Sequence, residues 1–155
     1  MASNHRSETL THRLILPRDA NHHGTLYAGV LLSLALEAAY ASAYRSIGHA
    51  ANLVLKRVLD IRCLQPVPVG FVVELRGREV RRARAGLVIA LIGSPLENQS
   101  TPWMEGLMQF VQIGKDGRPI ELPTTTMTAL EDDDSTEVAW ELLRARADQL
   151  LRVRR

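Results

Sequence analysis

Cysteine is almost absent from this chain of 155 residues: Cys63 stands alone. No intramolecular disulfide can form, which fits a reducing compartment such as the cytosol. Cys63 falls in a predicted strand, where a core thiol accounts for it better than a nucleophile does. Aromatic residues are also scarce, at 5%, with two Phe and two Trp. Single-stranded nucleic acid is held by stacking bases on rings along a basic groove. So few rings and a net charge of only +2 argue against a nucleic-acid module. Nor is there any Cys/His spacing of the kind that chelates zinc. His22 and His23 are adjacent and poorly placed to hold one ion together. No repeat or low-complexity tract is present, and residues 1–11 lack the apolar core of a secretory signal. The longest apolar stretch, residues 26–44, approaches the roughly 20 residues of a membrane span. Glu37 interrupts it, and Tyr27, Ser33, Tyr40, Ser42 and Tyr44 dilute it. A helix buried within protein explains the same residues without placing a charge in lipid.

The remaining composition is ordinary, 46% hydrophobic and 23% charged. The pI near 9.0 comes from arginines crowded into 76–84 and 144–155. A solvated surface, a phosphate-bearing small molecule or nucleic acid would each account for them. A chain of this length reads as one domain. It can bury about 68–70% of its unfolded surface without staples.

Residues 1–8 read as a disordered tail. Loose alternation at Leu10, His12, Leu14 and Leu16 predicts a first strand over 9–16, ended by Pro17. Residues 19–24 form a polar loop. A helix then runs from near Tyr27 to Ile47, with Thr25 a candidate cap and Gly48 the closing residue. Its lack of charge predicts a helix surrounded by protein on most sides. Strands follow over 51–64, 69–80, 86–92 and 103–113, divided by Pro66 and Pro68, by a basic turn at 81–85, and by Gly-containing loops. The near-continuous apolar run at 86–92 predicts burial on both faces. Residues 124–134 read as a linker. A last helix, 135–155, is capped by Asp134 or Ser135 and carries an apolar stripe through Val138, Leu142, Leu143 and Leu150. Strands joined by short turns make an antiparallel sheet. The class is therefore α+β, with the sheet curling around one long helix.

Three stretches carry a resemblance. Pro17, Asp19, Asn21, Gly24, Tyr27 and Gly29 precede the helix. Asp60, Pro66, Val67, Val69 and Gly70 end the second strand. Asp116, Gly117, Pro119 and Pro123 follow the last one. Together, over 17–123, they resemble the hotdog-fold acyl-CoA thioesterases, in particular the acyl-CoA hydrolase branch. The resemblance implies the hotdog fold, a curved antiparallel sheet wrapped around a central helix; the C-terminal helix, outside the matched stretch, is expected to pack on or beside the domain through its apolar stripe. It implies a site between subunits for an acyl-CoA or acyl-carrier-protein thioester, in a homodimer that extends at most to a homotetramer. It implies no cofactor, no metal, a cytoplasmic location and hydrolysis to free acid and thiol.

In that family, amides at the helix start hold the thioester carbonyl, which places Gly24, Tyr27, Ala28 and Gly29 at the substrate. An Asn in the loop and an acid on the facing subunit's helix position or activate water. Asn21 matches the first, although an Asn in a turn is often only structural. The acid falls on Leu36, which can neither orient water nor take a proton. Glu37 is adjacent but turned by about 100° around the helix. It shares a polar seam with Ser33, Tyr40 and Tyr44, which lines a wet pocket, meets a subunit interface or faces solvent. Ala28 replaces the first of the family's paired glycines. His23 is an alternative base or an exposed loop residue. Arg84, with Arg81 and Arg82, stands where the family often faces the coenzyme's phosphates; a solvated turn explains the three equally well. The replaced acid leaves a second function open: an acyl-thioester binder, or an enzyme of another reaction on such thioesters, that does not hydrolyse.

Overall fold

The computed structural model describes residues 8–48, 52–98, 101–123 and 134–153. The tail up to residue 7, the linker 124–133 and the side chains foreseen as caps of the last helix lie outside the described residues. The elements are β1 (Thr9–Leu14), a 3-10 turn (Pro17–Asp19), α1 (Ala28–Ile47), β2 (Leu53–Cys63), β3 (Val72–Arg82), β4 (Gly86–Pro95), β5 (Met104–Gln112) and α2 (Asp134–Arg152).

The strands form one antiparallel sheet in the order β1-β3-β4-β5-β2. Side chains alternate across it. Val73 and Leu75 of β3 and Met104, Met108 and Phe110 of β5 join the core shared with α1. Val80, Val88, Ala90 and Leu107 face the other way, against Trp140, Leu143 and Ala147 of α2. β4 lies in the middle with a helix on each side, so it is buried almost throughout. Its continuous apolar run has this cause.

α1 meets the sheet through small residues. Leu31, Leu34, Ala35, Ala38, Ala39, Ser42 and Ala43 are buried, a single stripe at helical spacing. The alanines let the helix axis come close. Ser42 meets the sheet at Gly77 and Thr9, bonding to the Thr9 hydroxyl. At the far end Gly48 takes φ +101 and donates its N–H to the Tyr44 carbonyl at 2.8 Å.

Two expectations are corrected. The sheet is not a curved wrap around the helix. It is open, with β1 and β2 as its two edges, and α1 rests on one face of it. Leu32, Leu36, Tyr40 and Tyr44 remain exposed, although the Tyr40 ring meets Phe110 of β5 edge-on at 6.0 Å. Apolar composition suggested burial all round, whereas only the alanine-rich stripe is covered. The strands also do not neighbour in chain order. β2 pairs with β5 at the edge rather than with β3. The segment between β2 and β3 is held at the loop before α1 instead of closing a hairpin: Val67 accepts the Leu26 N–H at 2.8 Å.

α2 is fastened by charge as well as by apolar contact. The buried Arg78 guanidinium reaches Glu8 and Glu137, each at 2.8 Å, and lies 4.8 Å over the Trp140 ring. A buried charge held this way has its desolvation offset by partners. No helix among the described residues is long and apolar enough to cross a membrane.

The contact of α1 on Gly77 yields a stability prediction. A Cβ there would collide with Ser42 Oγ and lie 2.9 Å from Thr9 Oγ1. Gly77→Ala is expected to lower unfolding stability by about 1–3 kcal/mol, read from urea denaturation. Unchanged stability would show that α1 does not sit this close.

Candidate active site

Asp19 anchors the loop that leads into α1. Its residue is buried, and its carboxylate accepts the Leu16 N–H at 2.9 Å and an Arg13 N–H at 3.1 Å. The Leu16 amide is the largest influence and lowers the carboxyl's pKa below the ordinary aspartate value. Burial opposes it, and the Arg13 charge and hydrogen bond reinforce it. The Asp19 carbonyl in turn accepts the Tyr27 N–H at 2.8 Å. One residue thus ties the end of β1 to the start of α1. The motif contains this Asp, yet no role follows from its letter alone. A carboxylate two residues after the proline that stops a strand is the available signal.

Between these ties the chain turns tightly. The Asn21 N–H donates to the Thr25 carbonyl at 2.8 Å, and the Gly24 N–H donates to the Asn21 carbonyl at 3.1 Å. Gly24 takes φ +75, which suits a residue without Cβ. The Asn21 side-chain oxygen accepts the His23 N–H at 2.9 Å and the Thr25 N–H at 3.2 Å, and its amide lies 3.1 Å from Thr25 Oγ1. Thr25 therefore pairs with Asn21 and does not cap α1, as had been expected. His22 and His23 are exposed and lean on each other, with ring centroids 3.9 Å apart.

Tyr27 stands at the N-cap position of α1, and its side chain makes no capping hydrogen bond. The N–H groups of a helix start have no partner within the helix. Those of Ala28, Gly29 and Val30 are therefore left as donors with a partial positive charge. Ala28 and Gly29 are exposed. The Tyr27 ring folds over Gly29 so closely that a Cβ there would lie 2.5 Å from it. A glycine at 29 keeps this ring and these amides on one surface.

The remaining candidates lie elsewhere. Glu37 is exposed and makes no ion pair or hydrogen bond among the described residues. Nine residues of helix separate it from Ala28, about 13 Å along the axis. It shares the outer face of α1 with Leu36, which is 37% exposed, and with Tyr40 and Tyr44, whose rings stack at 6.4 Å. Arg82 lies at the opposite end of α1. It donates to both Glu79 oxygens at 2.7 Å, to the Pro123 carbonyl at 2.7 Å and to the Ser46 carbonyl at 3.1 Å. Its guanidinium closes the helix C-terminus. Arg81 pairs with Asp148 at 2.6 Å, and Arg84 is exposed, 3.8 Å from Glu121. The structure thus gathers Asn21, His23, Gly24, Tyr27, Ala28 and Gly29 at one end of α1. It leaves Glu37, Arg82 and Arg84 apart from them.

An antiparallel sheet with one long helix on its face, begun by a glycine-containing loop with free amides, defines the hotdog class. Solved structures share it. An acyl-CoA hydrolase from Staphylococcus aureus, solved with butyryl coenzyme A, coenzyme A and coenzyme A disulfide, superposes with a TM-score of 0.79 at 19% identity, over 96% of this chain and 89% of that one. The hexameric thioesterase y2039 from Yersinia pestis gives a TM-score of 0.64 at 23% identity, over 74% of this chain and 93% of that one. In sequence, the acyl-CoA thioester hydrolase YciA of Salmonella typhimurium is 29% identical over 124 residues, covering 76% of this chain and 92% of its own. No protein-family model matches. In sequence and in fold the chain is similar to acyl-CoA thioesterases of the hotdog class. The expected dimer or tetramer is corrected by these relatives, since the Yersinia protein is a hexamer.

The lowered Asp19 pKa has a definite sign in pH. A carboxyl held below its unfolded value adds stability above the ordinary aspartate pKa of about 4. That contribution is lost as pH falls through the lower folded value. Wild type is expected to exceed Asp19→Asn in denaturant midpoint near neutral pH, with the gap closing in acid. A gap constant with pH would show that the charge is not what holds the loop.

Proposed function

We propose that the protein hydrolyses an acyl-CoA thioester to a free acid and coenzyme A. The observation that carries this reading is the uncapped first turn of α1, with the amides of Ala28, Gly29 and Val30 held in place by the Asp19 loop. Such donors stabilise the oxyanion that forms when water adds to the thioester carbonyl. A base takes the water's proton, the carbon–sulfur bond breaks, and the thiol leaves with a proton. Asn21 keeps the loop shaped around these amides and, by turning its amide from Thr25, would hold the water. Glu37 is the base in this proposal, with His23 the alternative. Glu37 stands about 13 Å from its own helix start, so it would act on the site of another subunit. Arg84 is the side chain of its turn that suits coenzyme phosphates; Arg82 is occupied at the helix C-terminus.

Edge strand β2 and the outer face of α1 support assembly. Val54, Leu55 and Val58 on β2 and Leu32, Leu36 and Tyr40 on α1 are exposed apolar residues. An exposed apolar edge strand is a template for pairing with another chain. We propose a hexamer in the cytoplasm, tested by light scattering: six chains per particle supports it, two or four refutes it.

Leu36 favours a second reading, in which the thioester is bound and not cleaved. Free-thiol detection on a panel of acyl-CoAs separates the two. Hydrolysis is expected, with kcat/KM at least about tenfold lower in Asn21→Ala and kcat about 100-fold lower in Glu37→Gln, the scale of a lost general base. Leu36→Asp is expected to raise the rate. Binding without thiol release would establish the second reading.

A further inference from the structure

We propose that a cleft on the side of the sheet away from α1 binds a zwitterionic small molecule, an α-amino acid with an aliphatic side chain. The cleft has a volume of about 330 Å³. Its floor is formed by β2 and β5, with Asp60, Arg62 and Glu105, and its wall by α2, with Leu142, Leu143 and Arg146. None of its lining residues belongs to the site loop or to α1, so the site stands apart from the thioesterase reading.

The pairing of charges is the first argument. Arg62 lies directly opposite Glu105 in the register of β2 on β5. Opposite charges placed this way ordinarily pair. Arg62 instead donates its Nε–H to Asp60 Oδ2 at 3.1 Å, and Arg146 donates its own Nε–H to the same oxygen at 3.0 Å. One carboxylate thus holds two guanidiniums. The terminal N–H groups of both make no bond among the described residues. Glu105 is half-buried and makes no ion pair or hydrogen bond among the described residues. A carboxylate drawn part-way out of water without a partner is costly, and a cationic group from outside would satisfy it.

The balance of charge is the second. Two guanidiniums and two carboxylates leave the lining without net charge. An anion alone would gain the guanidiniums and be repelled by Glu105. A cation alone would gain Glu105 and be repelled by the guanidiniums. A molecule that carries both signs a few bonds apart satisfies every group. An α-carboxylate takes parallel N–H bonds from a guanidinium, and the α-ammonium donates to Glu105.

Shape and polarity are the third. Ala139, Leu142, Leu143 and Arg146 recur at helical spacing and share one side of α2. Leu107 and Leu143 are buried in the core beneath that helix, so this part of the lining is fixed. Leu142 is 67% exposed, a leucine that the fold leaves uncovered. The volume holds about eleven water-sized groups of ~30 Å³ each, room for the roughly nine non-hydrogen atoms of leucine and too little for the roughly fifteen of tryptophan.

Calorimetric titration of the full chain with L-leucine tests the site, and binding is expected. Isocaproate lacks the ammonium and leucinamide lacks the carboxylate. Each is expected to bind at least about tenfold more weakly, the scale of a lost hydrogen bond between charged groups. L-aspartate, whose side chain would bring a charge against the leucines, is expected not to bind. Glu105→Gln keeps the shape of the side chain and removes its charge. It is expected to weaken L-leucine binding at least about tenfold, with thiol release from acyl-CoA and the melting temperature as in wild type. Leu142→Trp fills the cleft from an exposed position and is expected to abolish the heat of binding. No heat with L-leucine, equal binding of isocaproate, or unchanged binding in either variant would overturn the site. None of these outcomes bears on hydrolysis, which free-thiol detection reads by itself.

Discussion

A single buried carboxylate decides where α1 begins. Asp19 is taken out of water, and an ion in that position persists only with partners. Its partners are the last amide before the turn, Leu16, and the Arg13 guanidinium. Its own carbonyl holds Tyr27, the residue that caps the helix. Both ends of the loop are thereby fixed by one residue to the end of β1. The first-turn amides inherit that position. A loop held only by exposed contacts would let them wander, and donors that must reorganise at each turnover stabilise an oxyanion poorly.

The helix divides its labour by face. Its small residues lie against the sheet, where the approach at Gly77 leaves no room for a side chain. Leu32, Leu36 and Tyr44 lie exposed with Glu37, while Leu31 and Leu34 join the small residues in the core. Packing and chemistry are thus separated by rotation about one axis. The inner face answers to the fold, and the outer face is open to what the assembly brings to it.

Much of the fold was legible because local rules determine it. Alternation marked β1, and the unbroken apolar run of β4 implied cover on both faces, which α1 and α2 provide. Gly24 and Gly48 both take positive φ, and each stood where a turn or helix end was expected. The errors arose where long-range geometry decides. The letters of α1 are largely apolar, and its polar seam of Ser33, Glu37, Tyr40 and Tyr44 marked a distinct side without showing that this side is left exposed. β2 lies beside β5, and the segment after it bonds through Val67 to Leu26, 41 positions earlier, which no periodicity reveals. Arg82 read as a phosphate ligand because charge is visible in a sequence and partners are not. Its carbonyl partners, Ser46 and Pro123, lie 36 and 41 residues away. Asn21 remained ambiguous for another reason: the amide that shapes the loop is the same one a substrate would need.

The open flank of β2 has a consequence for stability. In the assembly proposed above, a neighbouring chain seated on that edge would act as a ligand that binds only the folded form. Folding and self-association would then share one equilibrium. The chain's melting point would become a function of how much of it is present, and dilution alone would act as a denaturant.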